Sequence, residues 1–168
     1  MKILYYSPHP QLSMHAPTGY GTHMREMIAA WRRMDIEVHT CIAGDLNDGQ
    51  VGTSKSSQNS KATIVKKLIP NYLWQSLRDL SLMKFDKAQQ RNLENQIESF
   101  QPDVIYERVA YLQDSGIKTA QKYGIRHVSE INAPYPEERV FFSGNSFFCQ
   151  NRVKLNMKSS HILMEFRW

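Results

Sequence analysis

The stretch GYGTHMREMIAAWRRM, residues 19–34, begins with two glycines and continues as an apolar helical pattern. Its large apolar side chains are spaced three and four residues apart, which predicts one buried face of an α-helix. The preceding run KILYYS, residues 2–7, is apolar and β-favouring, and the following run IEVHTCI, residues 36–42, alternates in polarity. This order predicts two parallel strands joined by a right-handed crossover. The apolar helix positions are Met24, Met27, Ile28, Trp31 and Met34.

Strands and helices continue to alternate along the chain. Residues 44–60 are rich in Gly, Ser, Asn and Asp and predict a loop, whereas apolar residues at helical spacing predict one long or two broken helices between 71 and 99. We therefore expect one α/β domain over 1–168, a Rossmann-like three-layer sandwich with a mostly parallel sheet. The later expected elements are a strand at 103–107, a helix at 111–123, a strand at 126–131 and mainly helical structure over 137–168.

Composition favours a soluble globular protein of the cytoplasm. Apolar residues make up 41% of the 168 residues and charged residues 22%, which argues against a disordered chain. No apolar run reaches the roughly 18 residues of a membrane span, and the first residues turn polar too soon for a signal peptide. The two cysteines, Cys41 and Cys149, form neither a disulfide framework nor a metal-binding spacing. We expect both to be reduced thiols.

The net charge of +5 is concentrated in residues 61–91. That segment holds seven basic residues and two acidic ones, and this excess predicts a surface that faces an anionic partner. Tyr72, Leu73 and Trp74 lie beside it, so one interpretation is contact with an anionic membrane surface. The alternative is a solvated helix whose aromatic residues pack inward. We do not expect a nucleic-acid partner.

Three segments are expected at the carboxyl edge of the sheet, where ligands of parallel α/β folds bind. They are Ser7 to Gly21, the pair Glu107–Arg108, and Asn132 to Glu138. Two interpretations of the charged residues stay open. Glu107 and Arg108 either bind a ligand or pair with each other or with neighbours, and Glu137–Glu138 either bind or suit the first turn of a helix.

The glycines of residues 19–21 also allow two interpretations. They either let backbone N–H groups approach an anion at a helix N-terminus or permit a tight entry into the helix. A dinucleotide fingerprint is disfavoured because about a dozen residues separate the first strand from Gly19, although Asp45 mimics the ribose-binding acid. No Walker sequence is present. The histidines at 9, 15 and 23 lie in a loop without cysteine, so we expect no metal site.

Several stretches together carry a family resemblance. MKILYYSPHP and GYGTHMREMIAAWRRMDIEVHT resemble the opening of retaining glycosyltransferases of family 4. PDVIYERVAYLQDSGIKTAQKYGIRHVSEINAPYPEER is similar to the family's P-D-hydrophobic-Y-E-R, a following helix, and E-hydrophobic-N-A-P with an acidic pair. The resemblance covers residues 1–139. The family often has adjacent glycines, whereas Tyr20 separates them here.

The resemblance implies one half of a GT-B enzyme that moves a sugar from a nucleotide-sugar to a glycan or lipid-linked acceptor. Such enzymes have two Rossmann-like domains, and this chain resembles the N-terminal, acceptor-side domain. The family continues beyond the point where this chain stops, so we expect a truncated gene or a fragment that is inactive without its C-terminal domain. A non-catalytic Rossmann-like binding or partner module is the alternative.

Site residues are transferred from the resemblance position by position. Gly19, Tyr20 and Gly21 match the loop near the donor phosphates and the acceptor, and Glu107 and Arg108 match the cleft-side pair. The family's donor-site Glu pair belongs to the second domain, so no catalytic residue is assigned. The resemblance implies neither a metal nor another cofactor. The remaining expected substrate-binding residues are Asn132 and Glu137.

Overall fold

The computed structural model describes residues 1–46 and 69–132, together with Glu138, Phe141, Phe142, Ser146 and Phe148. Strands and helices alternate through this part of the chain as the sequence predicts. In chain order the elements are β1 (Lys2–Ser7), α1 (Gly19–Arg33), β2 (Glu37–Ile42), α2 (Ala43–Leu46), α3 (Asn71–Phe100), β3 (Val104–Arg108), α4 (Ser115–Tyr123) and β4 (Arg126–Glu130).

The four strands form one open, all-parallel sheet in the order β2-β1-β3-β4. Helices cover both faces, which confirms the predicted α/β, Rossmann-like sandwich. Because every strand runs in the same direction, all four carboxyl ends meet at one edge. The chain places β2 on one side of β1 and β3 on the other, so this edge has a topological switch point between β1 and β3, where ligands of such folds bind.

One face of the sheet packs against α1. Thr18 begins this helix, since its side chain accepts a hydrogen bond from the N–H of Gly21. The predicted apolar face is confirmed at Met24 and Ile28, which are buried against Tyr5 of β1. Aromatic rings complete this layer, with Tyr5 stacked on Tyr106 at a centroid distance of 5.7 Å. Trp31 packs edge-on against Tyr106.

The opposite face packs against α3 and α4. Successive side chains of a strand point to opposite faces, so β1 sends Leu4 and Tyr6 to this side while Tyr5 faces α1. Here they meet Leu93 and Ile97 of α3 in one buried cluster. The other buried members of that cluster are Cys41, Ile105 and Ala120.

The long helical segment is one helix, α3, of 30 residues. Only its last part covers the sheet, because Asp86 hydrogen-bonds to the N–H of Asp114 near the carboxyl edge. The first four turns therefore lie level with that edge or beyond it. The helix ends where Gln101 takes a left-handed backbone conformation with φ 52°, just before Pro102.

Two predicted boundaries were wrong. Residues 44–46 belong to the short helix α2 rather than to a loop, while residues 47–60 lie outside the described part. Helix α4 begins at Ser115 instead of 111, because Leu112 has a positive φ of 58° that interrupts a helix. Most of the predicted helical tail lies outside the described residues. Within the described residues, no helix has the length and apolarity needed to cross a membrane.

Candidate functional site

Four polar side chains, here named the arginine cluster, meet at the carboxyl edge on the α1 side of the sheet. Arg108 ends β3 and Glu130 ends β4, and the two are register partners. Nη1 of Arg108 lies 2.8 Å from Oε1 of Glu130, and both side chains are nearly buried. Two further groups reach the same oxygen, His23 at 3.1 Å and Asn132 at 2.8 Å.

The position of His23 brings the start of α1 to this cluster. The hydroxyl of Thr18 accepts a hydrogen bond from the N–H of Gly21, and its carbonyl oxygen accepts one from the N–H of Thr22. The N–H groups of Gly19 and Tyr20 are therefore the ones that the first helical turn presents outward, at the positive end of the helix dipole. Fixed backbone donors and a guanidinium thus lie at one end of the sheet.

Two tyrosines form the floor beneath the arginine cluster. Burial and the nearby Glu130 carboxylate raise the pKa of Tyr106 to about 12. Burial also raises the pKa of Tyr5, and the neighbouring Arg108 partly opposes this rise. Both phenols therefore stay neutral at physiological pH. Nε of Arg108 is buried and has no hydrogen-bond acceptor among the described residues.

A second polar group lies across the sheet, on the α4 side. Consecutive residues of a strand face opposite ways, so Glu107 points away from Arg108. Its Oε2 lies 2.7 Å from Nε2 of His127 on β4. The hydroxyl of Ser129 lies 3.4 Å from Nδ1 of that histidine, which favours the tautomer whose Nε2 proton is donated to Glu107. Gly116 at the start of α4 leaves room for this carboxylate, since a Cβ there would collide with it.

The same face contains a buried hydrogen-bond chain from α3 to β1. Asp86 accepts the N–H groups of Asp114 and Ser115 and the hydroxyl of Ser115, and so caps α4 from another helix. Because that hydroxyl donates to Asp86, the phenol of Tyr6 donates to its oxygen at 2.7 Å. Burial raises the pKa of Asp86 to about 6, with Glu107 adding to the rise and the hydrogen bonds opposing it.

The three residues of the glycine segment have different surroundings. Gly19 is exposed, and a Cβ there would meet nothing within 4 Å. Tyr20 is half-buried and packs against the cluster of Tyr5 and Met24. Gly21 is buried, and a Cβ there would collide with the carbonyl oxygen of Ala16. Gly21 therefore permits close contact between α1 and the loop before it, which agrees with the second interpretation, a tight entry into the helix.

Paired alanine substitutions separate these two glycines. We expect Gly21→Ala to lower the free energy of unfolding by about 1–3 kcal/mol, since the backbone of the loop must shift to admit the methyl group. Gly19→Ala serves as the matched control and should change stability by less than about 0.5 kcal/mol. Urea unfolding of the two variants measures both values. Equal stability of the two would contradict a packing role for Gly21.

The loop between β1 and α1 is held by several contacts. Asp45 accepts the hydroxyl of Ser13 at 2.5 Å and the N–H of Met14 at 3.0 Å. Arg25 donates to the carbonyl oxygens of Met14 and Ala16. Asp45, which the sequence presents as a mimic of a ribose-binding acid, thus fixes this loop beside the carboxyl edge.

The structure brings together only part of the predicted site. Arg108 and Asn132 meet through Glu130, whereas Glu107 lies across the sheet from them. Glu107 pairs with His127 and Arg108 pairs with Glu130. Their contacts are therefore those of the second interpretation, pairing with neighbours. Glu137 lies outside the described residues.

Sequence reasoning missed Glu130 and His127 and considered His23 only as a metal ligand. The available signal was charge placement on two expected parallel strands. YER ends one strand and HVSE ends the other, so both expected strands carry acidic and basic residues near the same edge. The register decides which pairs form, and that register was not predicted.

Metal binding and catalysis by a cysteine thiol have less support within the described part of the chain. The side chains described there include no group of three or more His, Cys, Asp or Glu residues that could hold a metal ion. Cys41 is a buried free thiol, and burial raises its pKa to about 12, so it is a poor nucleophile. Cys149 lies outside the described residues.

The arginine cluster can bind oxygen-rich ligands. A guanidinium held by a carboxylate, together with outward N–H groups, suits phosphate or sugar oxygens. Asn132 and His23 add exposed groups able to bind hydroxyls. Comparison of the chain with protein-family models, with curated proteins and with solved structures finds no match in any of the three.

Proposed function

We propose that this chain is the acceptor-side domain of a retaining GT-B glycosyltransferase of family 4. In this proposal it helps to move a sugar from a nucleotide-sugar to a glycan or lipid-linked acceptor. The observation that carries the proposal is the arginine cluster at the carboxyl edge, beside the switch point of a parallel sheet. The resemblance of residues 1–139 supplies the reaction, since the cluster by itself indicates only an oxygen-rich ligand.

Each member of the cluster has a proposed role. Arg108 donates hydrogen bonds to acceptor hydroxyls or to diphosphate oxygens, and Glu130 holds the guanidinium in position. The outward N–H groups of Gly19 and Tyr20 stabilise negative charge as the diphosphate leaves. His23 and Asn132 contact the acceptor from the rim. A donor-binding domain facing this edge completes the proposed site, and the buried free thiol of Cys41 fits the proposed cytoplasmic location.

Acceptor binding can be tested on the chain itself by amide NMR titration. Octyl glycosides of glucose, galactose and mannose serve as probes, with nucleotide-sugars in a parallel calorimetric titration. We expect small chemical-shift changes at the backbone amides of His23, Arg108 and Asn132 with at least one glycoside. In the calorimetric titration we expect no saturable micromolar binding of nucleotide-sugars. The reason is that a single open edge supplies few contacts and excludes little water. Asn132→Ala should weaken glycoside binding about tenfold, by loss of hydrogen bonds to the ligand.

The exposed Arg126, at the amino end of β4, provides the matched control. Arg126→Ala should leave glycoside binding unchanged, because it lies at the opposite edge of the sheet. Shifts confined to the amino edge, or no shifts with any glycoside, would contradict the acceptor role. Saturable micromolar binding of a nucleotide-sugar would instead favour a nucleotide-binding module complete in itself.

A further inference from the structure

The first half of α3 has its polarity reversed with respect to an ordinary surface helix. Asp79 is fully buried and Gln75 is 6% exposed. Leu77 and Leu80 of the same turns are 52% and 39% exposed. Amphipathic helices of globular proteins normally bury their leucines. The first half of this helix therefore exposes leucines to solvent and buries polar side chains on its opposite face.

Its exposed face forms one continuous stripe. Starting from Leu73, side chains at alternating spacings of four and three residues share one side of the helix. Three leucines occupy the first part of this stripe and three basic residues the second. At a rise of 1.5 Å per residue the stripe is about 27 Å long. Its members, all exposed, are Leu73, Leu77, Leu80, Lys84, Lys87 and Arg91.

All exposed charges of this helical segment have the same sign. The two acidic residues of Asn71–Arg91 are Asp79 and Asp86, and both are buried. Arg78, beside the stripe, is exposed like the three basic residues on it. The four basic residues of Asn71–Arg91 are therefore not offset at the surface by the two acidic ones, and Lys61, Lys66 and Lys67 of the predicted basic segment lie outside the described residues.

We propose that this exposed face of α3, residues 71–91, docks on a lipid bilayer that contains anionic lipids. The leucines would enter the boundary between headgroups and acyl chains, and the basic side chains would lie against lipid phosphates. The charge of the face is complementary to such a surface, and the leucines on it lose their contact with water.

Other occupants fit this face less well. Two copies of the chain paired in parallel would place the basic residues against one another, and an antiparallel pair would place leucines against basic residues. A nucleic acid would match the charge but would leave the leucines exposed to water. A bilayer surface offers an apolar boundary to the leucines of the stripe and lipid phosphates to its basic residues.

The docking would also orient the arginine cluster. Asp86 lies level with the carboxyl edge through its bonds to Asp114 and Ser115, and the leucines lie on the turns before it. A bilayer against this face would therefore run close to the carboxyl edge. The docking itself does not depend on the proposed reaction, and vesicle binding tests it without any sugar.

The test uses vesicles of phosphatidylcholine alone or mixed with phosphatidylglycerol, and the bound fraction is measured by flotation. We expect binding to the mixed vesicles that weakens as salt rises, since screening reduces surface attraction. Lys84→Gln with Lys87→Gln should lower the partition coefficient about thirtyfold. Leu77→Gln with Leu80→Gln should lower it about tenfold, because apolar burial is lost.

Control variants change exposed basic and apolar residues at the amino edge of the sheet. Arg33→Gln with Arg126→Gln removes the same net charge, and Met34→Gln removes an exposed apolar side chain. Both should bind as the unaltered protein does, within about twofold. Circular dichroism of each variant checks that it folds.

Three results would overturn the proposal. They are an absence of binding to mixed vesicles at low salt, equal losses in the charge variant and its control, and unaltered binding of the leucine variant. Binding to heparin without binding to vesicles would assign the face to an acidic macromolecule instead.

Discussion

Replacing Arg108 with methionine is expected to lower the free energy of unfolding by about 3–5 kcal/mol. Its side chain is 9% exposed and that of Glu130 is 11% exposed, so the pair lies in a region of low dielectric. Removing the guanidinium leaves a buried carboxylate whose remaining partners are His23 and Asn132 at the solvent edge. The lost attraction is then not replaced by water.

The second half of this experiment removes the carboxylate as well. Changing Arg108 and Glu130 together to methionine should recover most of the loss, because a buried apolar pair has no charge to desolvate. Arg126→Met, at an exposed position, is the control and should cost less than about 0.5 kcal/mol. Urea unfolding of the four proteins completes the comparison. A double variant as unstable as Arg108→Met would show that the position needs the guanidinium for packing.

The second large effect concerns pH and Asp86, whose pKa rises from 3.8 to about 6 on folding. Because the folded protein holds this proton more tightly than the unfolded chain, the contribution to stability is fully present below about pH 4. It declines as pH rises and is lost above about pH 6. The difference of about two pKa units corresponds to about 3 kcal/mol.

Asp86→Asn removes this titration and keeps an acceptor oxygen for the start of α4. The stability of the unaltered protein relative to the variant should therefore fall by about 2–2.5 kcal/mol between pH 4 and pH 7. Glu26→Gln, at an exposed position of α1, removes a carboxylate without burial and should show no such trend. Urea unfolding at several pH values measures the differences. A constant difference across this range would contradict a raised pKa of Asp86.

Much of the candidate site could not be predicted from the sequence because its residues lie far apart along the chain. Arg108 was predicted from its place at a strand end, but its partner Glu130 required the register between β3 and β4. His23 became relevant only when α1 was placed on the sheet. Glu107 was grouped with Arg108 because they are adjacent, whereas the alternation of a strand separates them.

The two glycines show that a sequence pattern can also fail to distinguish residues that are close in the chain. Gly19 and Gly21 are two residues apart and look equivalent in the sequence. The first has no neighbour for an added Cβ, and the second contacts the carbonyl of Ala16, which the fold of the preceding loop brings there. Local pattern identified a glycine-containing helix start, and tertiary contact decided which glycine is needed for packing.

The pattern of the chain predicts the order of strands and helices, the parallel α/β class and the sheet edge at which ligands of such folds bind. These follow from local periodicity and from the handedness of crossovers, which act over a few tens of residues. The folded structure alone shows that Arg108 pairs with Glu130, that Glu107 pairs with His127, and that the leucines of α3 face outward. Those outcomes depend on register and on the packing of distant segments, because a helix pattern does not state which of its faces the rest of the chain will cover.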